Sequence, residues 1–242
     1  MLGTAIALAA AALTALGSQA ASSAPEAGAM TRQQIEQIVH EYILSHPEIL
    51  PEAMERLNAN RTGEVIAQHR KAIETPYGGA WEGAADGDVV LVEFFDYACG
   101  YCRAALPDIA RLVGEDKKLK VVYRELPILS PLSAEAAKVS LLVARKGNYM
   151  AYHKALFGAG RVSRDTIFAA AQAAGIDRKA AEAAIVDKST DSEIETNIAL
   201  AQKLQASGTP TFVIGNKMFA GAVGHDALRD AVAEARARAA KR

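Results

Sequence analysis

Residues 92–102 read Val92-Glu93-Phe94-Phe95-Asp96-Tyr97-Ala98-Cys99-Gly100-Tyr101-Cys102, and this stretch decides the fold. The apolar run from Val89 to Phe95, broken only by Glu93, is typical of a strand buried on both faces. A C-x-x-C follows at once, and residues 103–113 have the apolar spacing of a helix. We therefore expect a buried strand that leads into a helix whose first turn carries two thiols.

The C-x-x-C holds the only two cysteines among the 242 residues. Zinc normally takes four ligands, and the five histidines are scattered without metal-ligand spacing, so no metal and no other cofactor is predicted. A disulfide that closes so short a loop is a weak structural staple. Redox chemistry is the favoured interpretation, because the backbone N–H groups at a helix N-terminus stabilise a thiolate. Cys99 is then the attacking thiol, and Cys102, one turn further and facing inward, resolves the mixed disulfide.

Glu93 is an acidic residue in an otherwise apolar strand, six residues before Cys99. Burial disfavours a charged carboxylate, so we expect the pKa of Glu93 to be raised. Our hypothesis is that Glu93 carries the proton to or from Cys102. The alternative is a side chain that points into solvent at an edge of the sheet.

The remainder of the chain alternates between helical and strand patterns. The predicted segments are a strand at 120–126, helices over most of 131–206, a hairpin at 211–214 and 217–220, and a last helix at 225–239. Pro210 begins the first hairpin strand, where a proline either fits a cis turn or simply starts the strand. This order predicts an α/β protein with a sheet covered on both faces.

The first 88 residues divide into three segments by composition. Residues 2–17 are apolar but shorter than the about 20 residues of a membrane span, and small residues follow them. We expect a cleaved signal peptide over residues 1–21, with a retained membrane anchor as the alternative. Residues 22–75 predict a helical arm, with short helices at 52–57 and 64–73, and the glycine-rich residues 76–88 predict a linker.

The strand with Glu93, the C-x-x-C, the helical block and the distant Thr209-Pro210 pair together resemble the DsbA family of bacterial periplasmic disulfide oxidoreductases. The resemblance covers about residues 86–240. It implies a thioredoxin-like fold over residues 89–242, with a helical insertion at about 131–206, and a periplasmic location.

The resemblance also implies roles for individual residues. Cys99 corresponds to the nucleophile, Cys102 to the resolving thiol and Glu93 to the buried acid of the family. Pro210 corresponds to a cis-proline whose loop faces the C-x-x-C and lies alongside the substrate peptide. The residues expected to contact substrate are Gly100, Tyr101, Thr209 and Pro210.

Two details differ from the oxidases of that family. The dipeptide between the cysteines is Gly100-Tyr101, and Thr209 precedes the proline. Both resemble the bacterial disulfide isomerase, whereas the oxidase typically carries Pro-His and Val. We therefore expect an isomerase or reductase that acts on exported cysteine-containing proteins and is served by a membrane redox partner. The alternatives are a dithiol oxidase and a non-catalytic copper-binding or redox-sensing protein, since thiolates suit Cu(I).

The arm resembles a second group of proteins. Residues 46–50, His-Pro-Glu-Ile-Leu, resemble the N-terminal segment of the suppressor-of-copper-sensitivity C proteins, which use it to oligomerise. An apolar stripe on a helix needs a partner, either another copy of the chain or the arm's own domain. We expect a homo-oligomer through residues 30–73. The net charge of −1 gives no reason to expect nucleic-acid binding.

Overall fold

The computed structural model describes residues 30–146 and 148–241. The predicted signal peptide, residues 1–21, lies outside the described residues. The helices are α1 (Arg32–Ser45), α2 (Ile49–Glu74), α3 (Gly100–Glu115), α4 (Pro131–Lys146), α5 (Tyr149–Gly158), α6 (Arg164–Ala173), α7 (Arg178–Val186), α8 (Asp191–Lys203) and α9 (His225–Ala239). The strands are β1 (Trp81–Gly83), β2 (Val89–Phe95), β3 (Leu119–Glu125), β4 (Thr211–Ile214) and β5 (Lys217–Ala220). In this part of the chain no helix combines the length and the apolar character needed to cross a bilayer.

The five strands form one sheet in the order β1-β3-β2-β4-β5. Strands β2 and β3 are parallel, and α3 supplies the crossover that a parallel pair requires. The other neighbours are antiparallel. The hairpin β4–β5 turns at Gly215-Asn216 as predicted, and Gly215 has a φ of +60°, which glycine adopts without strain.

Apolar clusters cover both faces of the sheet, which confirms the predicted layering. Along β2 the side chains alternate, with Leu91 and Phe95 in one cluster and Val92 and Phe94 in the other. The first cluster contains residues of α3, α9 and the helices α4 to α7. The second contains residues of α2 and α8.

Helix α2 corrects the prediction for the arm. It is one continuous helix where two short helices were expected, because its only proline, Pro51, lies in the first turn, where no helical N–H is lost. Ile66 and Ile73 are fully buried in the second cluster. The C-terminal half of the predicted arm is therefore part of the core that covers the sheet.

Arg124 on β3 attaches the end of α2 to this core. Its side chain is 4% exposed, and it forms an ion pair with Glu193 on α8 at 2.8 Å. The other hydrogen bonds of its guanidinium go to the carbonyl oxygens of Ala72, Ile73 and Thr75 and to Asn197 Oδ1. A cation there also complements the negative end of the helix dipole.

The predicted linker also needs correction. Residues 81–83 lie within 76–88 and form β1, an edge strand antiparallel to β3, with Trp81 beside Val122. The glycines around it suggested a loop, whereas the strand is formed by backbone pairing that leaves no side-chain pattern. The exact division of the chain into domains stays a prediction.

The described chain divides into two compact units, one up to Pro51 and one from Glu52 onward. In the first unit, α1 begins with a capping box of Thr31 and Gln34. No residue of α1 is buried. Ile35, Ile38 and Tyr42 of the predicted stripe are each about half exposed.

Candidate active site

Cys99 lies at the N-cap of α3, as the sequence predicts. The backbone N–H of Cys102 donates to Cys99 Sγ at 3.3 Å. The thiol of Cys99 in turn donates to the carbonyl oxygen of Thr209 at 3.2 Å. The sulfur therefore lies between a helix N-terminus, which favours negative charge, and the loop that precedes β4.

Cys102 lies in the first turn of α3, with its side chain completely buried. Both cysteines are free thiols in this structure. Burial raises the pKa of the Cys102 thiol far above its usual range, and the charge on Glu93 raises it further. Cys102 therefore needs a proton acceptor before it can attack a disulfide.

Glu93 is 1% exposed and lies on β2, between β3 and β4. The alternative of a solvent-facing residue at a sheet edge is therefore wrong. Its neighbours Leu91 and Phe95 belong to the α3 cluster, so Glu93 faces α3 as well. Among the described residues neither of its carboxylate oxygens has a hydrogen-bond partner. Burial raises the pKa of Glu93 well above its usual range, and the charges on Cys99 and Glu82 add to the rise.

The Thr209–Pro210 loop lies against the dithiol, 110 residues away from Cys99 in the sequence. The Thr209–Pro210 peptide bond is cis. The carbonyl oxygen of Pro210 accepts a hydrogen bond from Gly221 N at 2.8 Å, which ties the loop to the end of β5. The backbone of Thr209 is thus held beside Cys99 by the hairpin.

Gly100 and Tyr101 lie between the two cysteines on the exposed side of the helix. Tyr101 is 71% exposed. A Cβ atom at Gly100 would meet nothing within 4 Å. Their predicted contact with substrate stays a prediction. Within the described residues no group of three or more His, Cys, Asp or Glu side chains is arranged to hold a metal ion.

Asp96 is a site residue that the sequence analysis missed. Its carboxylate is 1% exposed and accepts hydrogen bonds from Ala98 N at 2.8 Å and from Ile128 N and Leu129 N at 2.9 Å each. It joins the loop before Cys99 to the loop after β3, where Ile128 and Leu129 are half exposed. An acidic residue directly after a buried strand indicates a turn, which the contact with Ala98 forms, but Ile128 and Leu129 are more than 30 residues away in the sequence.

A buried polar network lies beneath this loop. Tyr97 Oη and Ser140 Oγ are 2.9 Å apart, and Ser140 Oγ donates to Glu125 Oε1 at 2.5 Å. Tyr149 Oη donates to the same oxygen at 3.3 Å, and burial raises the pKa of Glu125 well above its usual range. Burial lowers the pKa of His153, beside Tyr97, to about 3, so that imidazole is neutral. The network connects the active-site loop to helices α4 and α5.

A dithiol at the N-terminus of a helix, opposite a cis-proline loop on a sheet covered on both faces, defines the class of thioredoxin-like thiol–disulfide oxidoreductases. Residues 90–233 match the DSBA-like thioredoxin domain, and the chain belongs to that family. Residues 32–62 match the N-terminal domain of the copper resistance protein ScsC. The family resemblance and the fold class expected from the sequence are confirmed. Thiol–disulfide exchange is the general activity of that family.

Solved structures agree with this assignment. A thioredoxin-like oxidoreductase from Silicibacter pomeroyi is 37% identical, with a TM-score of 0.65, covering 69% of this chain and 97% of that one. The thiol-disulfide exchange protein α-DsbA2 from Wolbachia pipientis is 31% identical, with a TM-score of 0.66, covering 73% and 96%. A linker-deletion variant of Proteus mirabilis ScsC is 26% identical, with a TM-score of 0.69, covering 88% and 99%.

The curated relatives are longer proteins. A stretch of 156 residues, 63% of this chain, is 26% identical to the Na(+)/H(+) antiporter NhaA 3 of Salinispora tropica. The chain spans 24% of the length of that protein.

Proposed function

We propose that the protein is a periplasmic disulfide isomerase or reductase that acts on exported proteins with mispaired cysteines. The observation that carries the proposal is the position of Cys99 Sγ, 3.3 Å from the N–H of Cys102 at the start of α3. A thiolate held there is a nucleophile for protein disulfides. The Gly100-Tyr101 dipeptide and Thr209 before the proline support the isomerase or reductase direction over oxidation.

The proposed reaction begins with the Cys99 thiolate. Its sulfur attacks one sulfur of the substrate disulfide, forms a mixed disulfide and releases the other substrate sulfur as a thiolate. In isomerisation a different substrate thiolate then attacks the mixed disulfide, and Cys99 leaves as a thiolate with no net change in oxidation state. In reduction Cys102 attacks Cys99 Sγ, the substrate leaves as a dithiol, and Cys99 and Cys102 become a disulfide. A membrane reductase would return two electrons to the dithiol.

Glu93 is proposed to accept the proton of Cys102 before the second attack. The S–H bond of Cys102 breaks and an O–H bond forms on the Glu93 carboxylate. The Cys102 thiol is completely buried, and Glu93 faces α3 from β2. Gly100, Tyr101, Thr209 and Pro210 are proposed to contact the substrate chain, with the Thr209 backbone beside the reacting sulfur.

The exported location and the oligomer belong to the same proposal. The apolar stretch and small residues in 1–21 support export, and the match of residues 32–62 to the ScsC N-terminal domain supports self-association. Several dithiols facing one substrate favour isomerisation, because a released substrate thiol stays close to a second site.

Refolding of scrambled ribonuclease tests the activity. The reduced protein, without added oxidant, is expected to restore ribonuclease activity, and Cys99→Ser is expected to restore none. Cys102→Ser is the matched control, because it keeps the attacking thiol and is expected to accumulate mixed disulfides with the substrate. A protein that leaves scrambled ribonuclease inactive but rapidly oxidises reduced ribonuclease would be a dithiol oxidase, and the proposal would be wrong.

A further inference from the structure

Tyr123 is the direct neighbour of Glu93 on β3. Its side chain is 2% exposed and belongs to the same apolar cluster as Cys102. Burial raises the pKa of Tyr123 well above its usual range, and the charges on Glu82 and Glu93 add to the rise. The phenol therefore keeps its proton and has one O–H to donate.

The phenol donates a hydrogen bond to an acidic residue on the edge strand β1. Tyr123 Oη lies 2.5 Å from Glu82 Oε1, on β1. The other oxygen of Glu82 lies 3.9 Å from Lys154 Nζ, and the two side chains are 15% and 64% exposed, respectively. Glu82 thus lies between a buried phenol and an exposed cation, and the hydrogen bond holds its carboxylate on the buried side.

Glu82 pairs with Val121 on β3, which belongs to the α3 cluster, so Glu82 and Glu93 lie on the same face of the sheet. Burial is the largest cause of the raised pKa of Glu93, followed by the charge on Cys99 and then by the charge on Glu82. Burial raises the pKa of Cys102 on α3 and of Tyr123 and Glu125 on β3, and the charge on Glu93 adds to each rise. Glu82 differs from all of these because it lies on the edge strand of the sheet.

We propose that Glu82 and Tyr123 are positioning residues for the resolving step: the Tyr123 hydrogen bond holds the Glu82 carboxylate on the face of the sheet that carries Glu93, where its negative charge opposes a second negative charge on Glu93. The inference rests on the proposed role of Glu93 as proton acceptor for Cys102. A protonated Glu93 cannot accept the thiol proton, so Cys102 attacks only when the pH is high enough to ionise Glu93. Weakening the influence of Glu82 therefore allows the resolving step at lower pH.

The aromatic disulfide dithiobis(nitrobenzoate) separates the two steps in stopped-flow measurements. Attack by Cys99 releases a first nitrothiobenzoate, and attack of Cys102 on the mixed disulfide releases a second. Glu82→Gln removes the charge but still accepts the Tyr123 hydrogen bond. We expect it to lower the pH midpoint of the second phase by about one unit, the size of a charge interaction across the protein interior. The first phase is expected to keep its pH profile, which shows that the site is intact.

Two further variants make the outcome decisive. Tyr123→Phe keeps the ring but frees the Glu82 carboxylate to turn toward Lys154, so the second-phase midpoint is expected to fall as well. In a Glu93→Gln background, Glu82→Gln is expected to leave the pH profile of the second phase unchanged. A second phase with an unshifted midpoint in Glu82→Gln, or a shift that persists without Glu93, overturns the inference. If Glu93→Gln alone leaves the second phase like the wild type, the proposed role of Glu93 itself is wrong.

Discussion

Glu93 is a buried acidic residue at a position where the fold gains no stability from it. Its carboxylate is buried on a central strand, and among the described residues it has no hydrogen-bond partner. A buried polar group without a partner destabilises the folded state. A carboxylate that only stabilised the fold would be paired, so the arrangement is consistent with the proposed proton transfer to Cys102.

Replacing Glu93 by leucine is therefore expected to stabilise the reduced protein. The pKa of Glu93 is raised in the folded state, so between its ordinary value and its folded value the folded protein binds more protons than the unfolded chain. The stability of the wild type consequently falls as the pH rises through that window, while that of Glu93→Leu does not. The expected gain is about 2 kcal/mol near neutral pH, smaller at pH values near 4. Denaturant unfolding at several pH values measures it; a gain independent of pH would contradict the raised pKa.

Helix α2 is the element whose role changed most between sequence and structure. Its apolar residues Ile66 and Ile73 cover one face of the sheet, and its last carbonyl groups are satisfied by the Arg124 guanidinium. Arg124 is adjacent to Tyr123 and Glu125 on β3, so the end of the helix is tied to the strand that lies beside Glu93. The C-terminal half of α2 is thus a layer of the fold.

Arg124→Met is expected to destabilise the protein by about 3 kcal/mol, because it leaves three carbonyl groups and Glu193 without their donor. Glu193→Gln is the matched control. It removes only the partly exposed partner of the pair and is expected to cost less than about 1 kcal/mol. Both are measured by denaturant unfolding of the full chain. Equal losses in the two variants would mean that the ion pair, and not the capping of α2, is the important contact.

At the scale of the whole molecule, the N-terminal part of α2 carries apolar side chains that its own fold leaves exposed. Met54 and Leu57 lie three residues apart on the helix and are 54% and 40% exposed. Exposed apolar residues in register on one helix face are typical of an association surface. Because α2 continues into the core, association through this face would bring the attached domains together as well.

The double variant Met54→Lys with Leu57→Lys is expected to reduce the mass measured by light scattering to that of a single chain. Charge repulsion and the cost of burying lysine both oppose association. Glu55→Gln with Ala59→Lys, on the opposite side of the same exposed helix, adds the same charge and is expected to leave the mass unchanged. A wild-type protein that is already monomeric, or equal masses for both double variants, would contradict association through this face.

The sequence by itself determined the class of fold and the reactive pair. The buried strand before the C-x-x-C, the hairpin at Gly215-Asn216 and the final helix could all be predicted, because each depends on local periodicity or local turn chemistry. The position of Cys99 at a helix N-terminus followed for the same reason, since the helix begins directly after the strand.

Only the tertiary structure decided which distant groups surround that pair. Asp96 contacts the loop after β3, and Glu82 contacts Tyr123 on the neighbouring strand. Thr209 contacts Cys99, although 110 residues separate them in the sequence. These contacts depend on strand order and register, which cannot be predicted from local sequence patterns. The same is true of β1 and of the C-terminal half of α2: β1 is formed by backbone pairing with a neighbouring strand, and α2 gains its stability by covering a sheet face assembled from distant parts of the chain.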